Sequence, residues 1–178
     1  ARIAGARRVV GIAGGPEKCA YCVDELGFDA CLDYRTFGKD SAALTRALRE
    51  ACPDGINGYF DNVGGWISDA VYPAMAFKGR VAICGTISEY NLAEPELAPR
   101  MPRHILVNRL RVQGLIVFDF AKRYREGLEA MAGWIAAGKL RYREDIMEGL
   151  DNAPSALVRL FKSQNFGKQL VRIRDWSA

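Results

Sequence analysis

The sequence has few histidines, no long apolar run and little net charge, and each shortage argues against a class of protein. Its 178 residues include one histidine, His104, so a metal site built on imidazole has almost no ligands to draw on. No apolar run reaches the ~18 residues of a membrane span, and residues 1–8 are basic without the apolar core of a signal peptide. The net charge of +4 is spread along the chain, without the basic block of a nucleic-acid-binding surface. We therefore expect a cytoplasmic protein that binds neither membrane nor nucleic acid.

The five cysteines do not form a pattern typical of a metal or disulfide framework. An odd number without a secretory pattern favours reduced thiols. Cys19 and Cys22 form a C-x-x-C pair within a predicted helix, where this spacing places both on one face. Because a redox or metal site would need a second pair or nearby histidines, we interpret the two as small residues that pack on a sheet. The sequence predicts no metal.

Two strand-like segments of similar design organise the rest of the chain. Residues 58–65 form an apolar strand that stops at Asn62 and two glycines, and residues 79–86 form a strand that ends in Cys84-Gly85-Thr86. A helical segment over residues 66–77 joins them into a βαβ unit, which is typical of parallel sheets. Ligands of such sheets bind beyond the carboxyl ends of the strands. Asn62 and the tip at residues 84–86 are therefore candidate ligand contacts.

The remaining pattern predicts an α/β fold with a Rossmann-like, doubly wound parallel sheet. Further strands are predicted at residues 8–13, 30–34 and 111–118, and further helices at residues 16–26, 42–52 (capped by Ser41) and 121–137, with the end of a helix at residues 2–6. Residues 87–103 contain three prolines and form a loop or lid, followed by a helical turn at residues 105–110. After Gly138 the βα alternation is not expected to continue: the pattern gives an extended piece at residues 142–146, a helix to about residue 162 and a strand at residues 167–173. We expect domains at residues 1–138 and 139–178.

The glycine fingerprint of dinucleotide-binding sheets, G-x-G-x-x-G, is missing between any strand and helix. Gly14-Gly15 follows the first strand, and no acid that would bind a ribose 2′-hydroxyl occurs before Glu17. Lys18, in the first turn of the next helix, suits a 2′-phosphate. This favours NADP over NAD, whereas the alternative is that Lys18 is an ordinary solvated lysine.

Four motifs in the same order resemble the zinc-free medium-chain dehydrogenase/reductases, in particular the prostaglandin reductase or leukotriene hydroxydehydrogenase branch with its bacterial curcumin reductases. They are residues 12–18 (IAGGPEK), 60–65 (FDNVGG), 84–91 (CGTISEYN) and 165–168 (NFGK). The resemblance implies an enzyme that uses NADPH to reduce the carbon–carbon double bond of an α,β-unsaturated ketone or aldehyde. It also implies that residues 139–178 belong to a GroES-like catalytic domain.

The resemblance also implies where the cofactor binds. The matching residues are Lys18 and Tyr34 at the adenosine phosphate end, Asn62 near the cofactor, Cys84, Gly85, Thr86, Ile87, Ser88 and Tyr90 in a segment that wraps it, Leu115, Val117 and Phe118 on the nicotinamide side, and Asn165 from the tail.

The chain departs from the family at two places. Relatives begin earlier, with a substrate-binding domain, a first strand and a glycine-rich turn, so we expect a fragment. In the strand order 3-2-1-4-5-6 the absent strand is central, and the 178 residues alone are expected to be poorly folded and inactive. Val107 matches a position where some members carry a proton-donating tyrosine, which leaves solvent or a cofactor hydroxyl as the proton source and no catalytic residue assigned.

Two alternatives remain beside the enone reductase, and an oligomer is expected. One is a zinc-type alcohol dehydrogenase or quinone reductase of the same superfamily, and the other is a non-catalytic NADP-binding module. The apolar strand at residues 112–118 would be the sheet edge, where it invites pairing with a second copy. We expect a homodimer through this strand, unless the tail covers it within one chain.

Overall fold

The computed structural model describes residues 1–174, in which short parallel strands alternate with helices. The strands are β1 (Val10–Ala13), β2 (Ala30–Asp33), β3 (Ile56–Asp61), β4 (Met75–Ile83), β5 (Arg111–Gly114), β6 (Glu144–Glu148) and β7 (Lys168–Arg172). The α-helices are α1 (Pro16–Asp24), α2 (Ser41–Ala51), α3 (Gly65–Val71), α4 (Pro102–Asn108), α5 (Tyr124–Ala136) and α6 (Ala153–Phe161). Short 3₁₀ helices lie at Tyr34–Phe37, Tyr72–Ala74, Val117–Arg123 and Leu150–Asn152.

Every strand pair in this part of the chain is parallel, which confirms the predicted α/β class. The strands form three sheets, with the orders β1-β2, β3-β4-β5 and β6-β7. No strand pairing joins the first two sheets in the described residues.

The core of the first compact unit, residues 1–126, lies where α2 and α3 pack against β4. Leu44 of α2, Val71 of α3 and Val81 of β4 are almost completely buried. Asp40, rather than the expected Ser41, caps α2, since its carboxylate accepts a hydrogen bond from the Ala43 N–H at 2.9 Å. This packing fixes the direction of β4 and hence the place where its carboxyl end emerges.

Three other predicted elements differ from the structure. The segment at residues 2–6 is a turn, closed by a hydrogen bond from the Gly5 N–H to the Arg2 carbonyl at 2.9 Å. The helix predicted to reach residue 77 ends at Val71, and β4 begins at Met75 instead of residue 79. β4 is irregular at this point, with a positive φ of 59° at Lys78 and a shift in its register against β3. This irregularity explains why the sequence predicts a strand start at Gly79.

The strand predicted at residues 111–118 ends at Gly114, and Val117–Arg123 form a 3₁₀ helix. The neighbouring strand β4 ends at Ile83, so residues after Leu115 have no strand to pair with. The prediction of a long apolar edge strand at residues 112–118 is therefore wrong, although β5 does lie at the edge of its sheet.

The second compact unit begins at Gly127, inside α5 and before the expected boundary at Gly138. In it β6, α6 and β7 form a parallel βαβ unit, with Ile146 paired to Leu170. The expectation that the βα alternation stops after Gly138 is wrong, because the small unit repeats it. Asp145 ties the unit together by accepting hydrogen bonds from Arg159 Nη2 at 3.0 Å and the Phe166 N–H at 2.8 Å.

Across residues 1–174, no helix combines the length and the apolar composition that crossing a bilayer would require.

Candidate functional site

An open cleft of about 350 Å³ lies at the carboxyl ends of β4 and β5. Its lining residues are Ile83, Cys84, Gly85, Thr86, Tyr90, Gly114, Leu115, Ile116 and Asp119. Five of them, Cys84, Gly85, Thr86, Tyr90 and Leu115, are among the residues singled out from the sequence. The strand-end rule thus leads to a real concavity on this chain.

The turn from β3 into α3 is organised by Asp61, the last residue of β3, which the sequence reasoning passed over in favour of Asn62. Its side chain is buried, and Oδ1 accepts hydrogen bonds from the N–H groups of Val63 at 3.0 Å and Gly64 at 2.9 Å. Oδ2 accepts from Ser68 Oγ at 2.5 Å, in the following helix. One carboxylate therefore shapes the turn from β3 into α3.

The backbone carbonyl of Asp61 extends this arrangement to the next strand. It accepts hydrogen bonds from the N–H groups of Cys84 at 2.7 Å and Gly85 at 3.2 Å. Asp61 lies on the same face of β3 as the partly buried Tyr59, whereas Phe60 between them is 62% exposed.

The loop after β4 is fastened across the end of β3. The Ile87 N–H donates to the Asn62 carbonyl at 3.3 Å, and both the N–H and the hydroxyl of Ser88 donate to the Val63 carbonyl, at 3.0 and 2.6 Å. Glu89 Oε1 accepts from the Gly65 N–H at 3.0 Å. These bonds bring the predicted residues Asn62, Ile87 and Ser88 together at one edge.

Glycines leave room where the loop approaches the end of β3. A Cβ on Gly85 would lie 3.3 Å from the Asn62 carbonyl oxygen, 3.4 Å from its Oδ1 and 3.4 Å from the hydroxyl of Tyr90. A Cβ on Gly64, whose φ is 71°, would lie 3.0 Å from the Thr86 Cβ. Backbone therefore forms much of the surface at this edge.

The predicted residues Lys18 and Tyr34 lie on the other parallel pair, β1 and β2. Lys18 is in the first turn of α1, which begins at Pro16 and has no capping side chain. Tyr34 directly follows β2, and its hydroxyl lies 2.9 Å from where a Cβ of Gly14 would be. The structure thus brings both residues to the carboxyl end of β1.

Arg35 is a cationic residue at this end that sequence reasoning missed. Asp33 Oδ1 accepts hydrogen bonds from the N–H groups of Gly15 at 2.8 Å and Arg35 at 3.0 Å, which ties the end of β2 to the start of α1. Arg35 Nη1 lies 3.4 Å from where a Cβ of Gly15 would be. A basic residue directly after a strand-end acid and tyrosine was the available signal.

The residues expected on the nicotinamide side divide into two groups. Leu115 lines the cleft and donates its N–H to the Ile83 carbonyl at 2.9 Å. Val117 and Phe118 do not line the cleft but begin the exposed 3₁₀ helix. Val107 is exposed on α4 and is not part of the cleft lining.

Asn165 lies in the second unit, between α6 and β7. Its Nδ2 donates to the Gly167 carbonyl at 2.8 Å, which shapes the turn into β7. Its predicted contact with the cofactor remains a prediction.

Two acidic groups near this edge have raised pKa values. Burial raises the pKa of the Tyr59 hydroxyl, which lies 3.2 Å from Ser68 Oγ. Burial also raises the pKa of Asp69, and the nearby carboxylates of Glu89 and Glu96 act in the same direction. Tyr59 is therefore a neutral hydroxyl that supports the carboxylate of Asp61 through Ser68.

Residues 1–174 contain no group of three or more histidine, cysteine or acidic side chains arranged to hold a metal ion.

The parallel strands, with a ligand-sized cleft at their carboxyl ends, define a Rossmann-like α/β domain. The chain belongs to the family described as zinc-binding dehydrogenase, whose model matches residues 1–133. The family-level resemblance expected from the four motifs, to the medium-chain dehydrogenase/reductases, is confirmed.

The relatives include NADP-dependent reductases. The NADPH-dependent curcumin reductase of Escherichia coli is 42% identical over 171 residues, which cover 93% of this chain and 48% of the relative. The 2-alkenal reductase (NADP⁺-dependent) of Nicotiana tabacum is 42% identical over 165 residues, covering 93% of this chain and 47% of the relative.

Among solved structures, the crystal structure of CurA from Vibrio vulnificus in complex with NADPH matches with a TM-score of 0.84 and 40% identity. The match covers 94% of this chain and 50% of that one. The chain spans about half the length of the curated relatives it matches.

Proposed function

We propose that this chain is the cofactor-binding part of an NADPH-dependent reductase that acts on the carbon–carbon double bond of α,β-unsaturated ketones and aldehydes. The observation that carries the proposal is the loop at residues 84–90, which is fastened by hydrogen bonds onto residues 62–65 beside the cleft. The substrate class is supported by two relatives, which are named as an NADPH-dependent curcumin reductase and an NADP⁺-dependent 2-alkenal reductase.

The residues present fit a dinucleotide. Its pyrophosphate and sugars require a close approach to backbone, which Gly64 and Gly85 provide: a Cβ on Gly64 would collide with its neighbours, and one on Gly85 would fit only tightly. An anionic 2′-phosphate requires cations, and Lys18 and Arg35 both lie at the carboxyl ends of β1 and β2.

Different residues along this edge are proposed to bind different parts of the cofactor. Lys18, Arg35 and Tyr34 hold the adenosine phosphate end, while Asn62 and the loop from Cys84 to Tyr90 hold the middle. Leu115 gives the nicotinamide end an apolar wall. For Val117, Phe118 and Asn165, which lie outside the cleft lining, a cofactor contact is proposed on the motif resemblance alone. When bound, the reduced nicotinamide supplies a hydride to the β-carbon of the enone. No side chain of this chain is assigned as the proton donor.

The activity can be tested with a purified protein that carries this chain. We expect NADPH to be consumed with a linear enone but not with the saturated ketone of the same length, and the product to be the saturated ketone. Deuterium on the reactive carbon of NADPH should appear at the product's β-carbon, and chelation should leave the rate unchanged.

The other outcomes would contradict the proposal in distinct ways. Alcohol formation from the saturated ketone, lost on chelation and restored by zinc, would indicate a zinc alcohol dehydrogenase. Turnover of quinones alone would indicate a quinone reductase, and NADPH binding without any turnover would indicate a non-catalytic module.

We further propose that two copies associate along β5, the edge of the three-stranded sheet. Beyond the four-residue strand the chain exposes Ile116, Val117 and Phe118, whose apolar side chains a second copy would cover. Ile116→Lys should lower the mass in a light-scattering experiment, whereas Leu97→Lys, on an exposed loop, should not. A wild-type monomer at micromolar concentration would rule out the dimer.

A further inference from the structure

A cluster of three thiols joins α1 to β2 on the side of β1. Cys19 and Cys22 lie on α1, and both of their thiols are close enough to the thiol of Cys31 on β2 to raise its pKa. Cys31 Sγ also lies 3.1 Å from where a Cβ of Gly11 would be, so its side chain crosses close to the β1 backbone. All three cysteines are free and partly accessible.

The third thiol changes the interpretation of the C-x-x-C pair. The sequence shows two cysteines one helical turn apart and suggests only packing, because Cys31 is distant along the chain. The parallel pairing of β1 with β2 places Cys31 opposite Gly11, beneath α1, and so completes the cluster.

We propose that this cluster is an oxidation site at which Cys31 forms a disulfide with a cysteine of α1. Neighbours three residues apart on a regular helix have their Cβ atoms about 5–6 Å apart. A disulfide requires about 3.5–4.5 Å, so a bond between Cys19 and Cys22 would distort the helix. Cys31 approaches α1 from the sheet, where no helix geometry holds the two sulfurs apart, and is the better partner for either cysteine.

The chemistry requires a two-electron oxidant, for which a hydroperoxide is sufficient. One thiolate attacks the peroxide oxygen to give a sulfenic acid and releases the alcohol or water. The neighbouring thiol then attacks that sulfur, the S–S bond forms, and the sulfenic oxygen leaves as water with the thiol proton. In total two thiols and one hydroperoxide give one disulfide, one alcohol and one water.

The surroundings set the rate of this reaction. Burial raises the pKa values of the Cys22 and Cys31 thiols, and in the described part of the chain the other groups acting on them are the thiols of the cluster, not charged side chains. Since the thiolate is the nucleophile, the disulfide forms slowly at neutral pH and faster as the pH is raised. This behaviour suits slow cross-linking rather than a rapid peroxide sensor.

The test is a non-reducing peptide map of the full chain after treatment with hydrogen peroxide at mildly alkaline pH. Trypsin leaves all three cysteines in residues 19–35, because no lysine or arginine lies between them. We expect this peptide to lose the mass of two hydrogen atoms. A protease that cleaves after Asp24 or Glu25 then separates α1 from Cys31, and the two pieces should remain joined until a reductant is added.

Matched variants locate the bond. Cys31→Ser should abolish the internal disulfide. Cys52→Ser should leave it intact, since Cys52 is a partly accessible thiol whose pKa is also raised by burial but which has no thiol in contact. Cleavage after Tyr21 distinguishes Cys19 from Cys22 as the partner.

Three results would overturn the proposal. They are an internal disulfide that persists in Cys31→Ser, a Cys31 that ends as sulfinic acid or bonded to another chain, and wild-type pieces that separate without reductant. The wild-type map alone decides the question if the Cys31→Ser variant does not fold.

Discussion

The carboxylate of Asp61 offers the sharpest test of how this edge is built. It is 3% exposed and accepts three hydrogen bonds, from the N–H groups of Val63 and Gly64 and from the hydroxyl of Ser68. Asp61→Ala removes all three acceptor contacts at once. The turn from β3 into α3 then has two backbone donors and one hydroxyl without their partner.

The expected cost follows from counting these donors. A buried donor that loses its acceptor lowers the free energy of unfolding by about 1–3 kcal/mol. We expect the larger losses for the buried donors of Gly64 and Ser68 and the smallest for the partly buried Val63 N–H. We expect Asp61→Ala to lower the free energy of unfolding by about 3–6 kcal/mol. Asp61→Asn keeps one oxygen for the two N–H groups and lets Ser68 accept from the new amide, so about 1–2 kcal/mol should be lost, the scale of the charge assistance.

Urea unfolding of the wild type and of both variants measures these differences. The control is Asp69→Ala on the following helix α3, where burial and neighbouring carboxylates disfavour the charge; we expect a change within about 0.5 kcal/mol. A loss below about 1 kcal/mol for Asp61→Ala, or equal losses for Ala and Asn, would refute the reasoning. NADPH affinity should fall in the same order, because the carbonyl of Asp61 also positions Cys84 and Gly85.

Three further substitutions test charges elsewhere. Lys18→Ala should weaken NADPH binding by about 1–3 kcal/mol and leave NADH binding unchanged in calorimetry; equal losses would remove the 2′-phosphate assignment. Arg35→Gln should weaken NADPH binding by about 1 kcal/mol, because this exposed charge acts through solvent. An unchanged ratio of NADPH to NADH affinity would exclude a contact between Arg35 and the 2′-phosphate. The Phe166 N–H and then the Arg159 guanidinium lower the pKa of Asp145. Its stabilisation is complete above the ordinary value of about 4 and is lost as the pH falls through the lower folded value. The urea midpoints of wild type and Asp145→Asn should therefore converge in acid, and a constant difference would contradict this.

Local sequence patterns were sufficient to predict the parallel α/β class and the strand ends that border the cleft. Small residues after an apolar run indicated where β3 and β4 stop, and the structure places a cleft beside Cys84, Gly85 and Thr86. The same patterns failed where an element depends on its neighbour. The apolar run at residues 111–118 satisfies every local criterion for a strand, yet β5 ends at Gly114 because β4 offers no further backbone groups to pair with.

The choice between Asp61 and Asn62 shows why the details of the site could not be predicted. Both are polar residues at the end of an apolar strand, and the sequence reasoning selected the amide, which extends past the strand. In a strand, alternate side chains face opposite sides, so Asp61 shares the inward face with Tyr59 and meets Ser68 one turn into α3. Asn62, one residue later, is exposed, and the loop bonds to its carbonyl rather than to its side chain. The inner residue therefore builds the turn and the outer one remains available to a ligand, a division that only the packing of α3 against β3 determines.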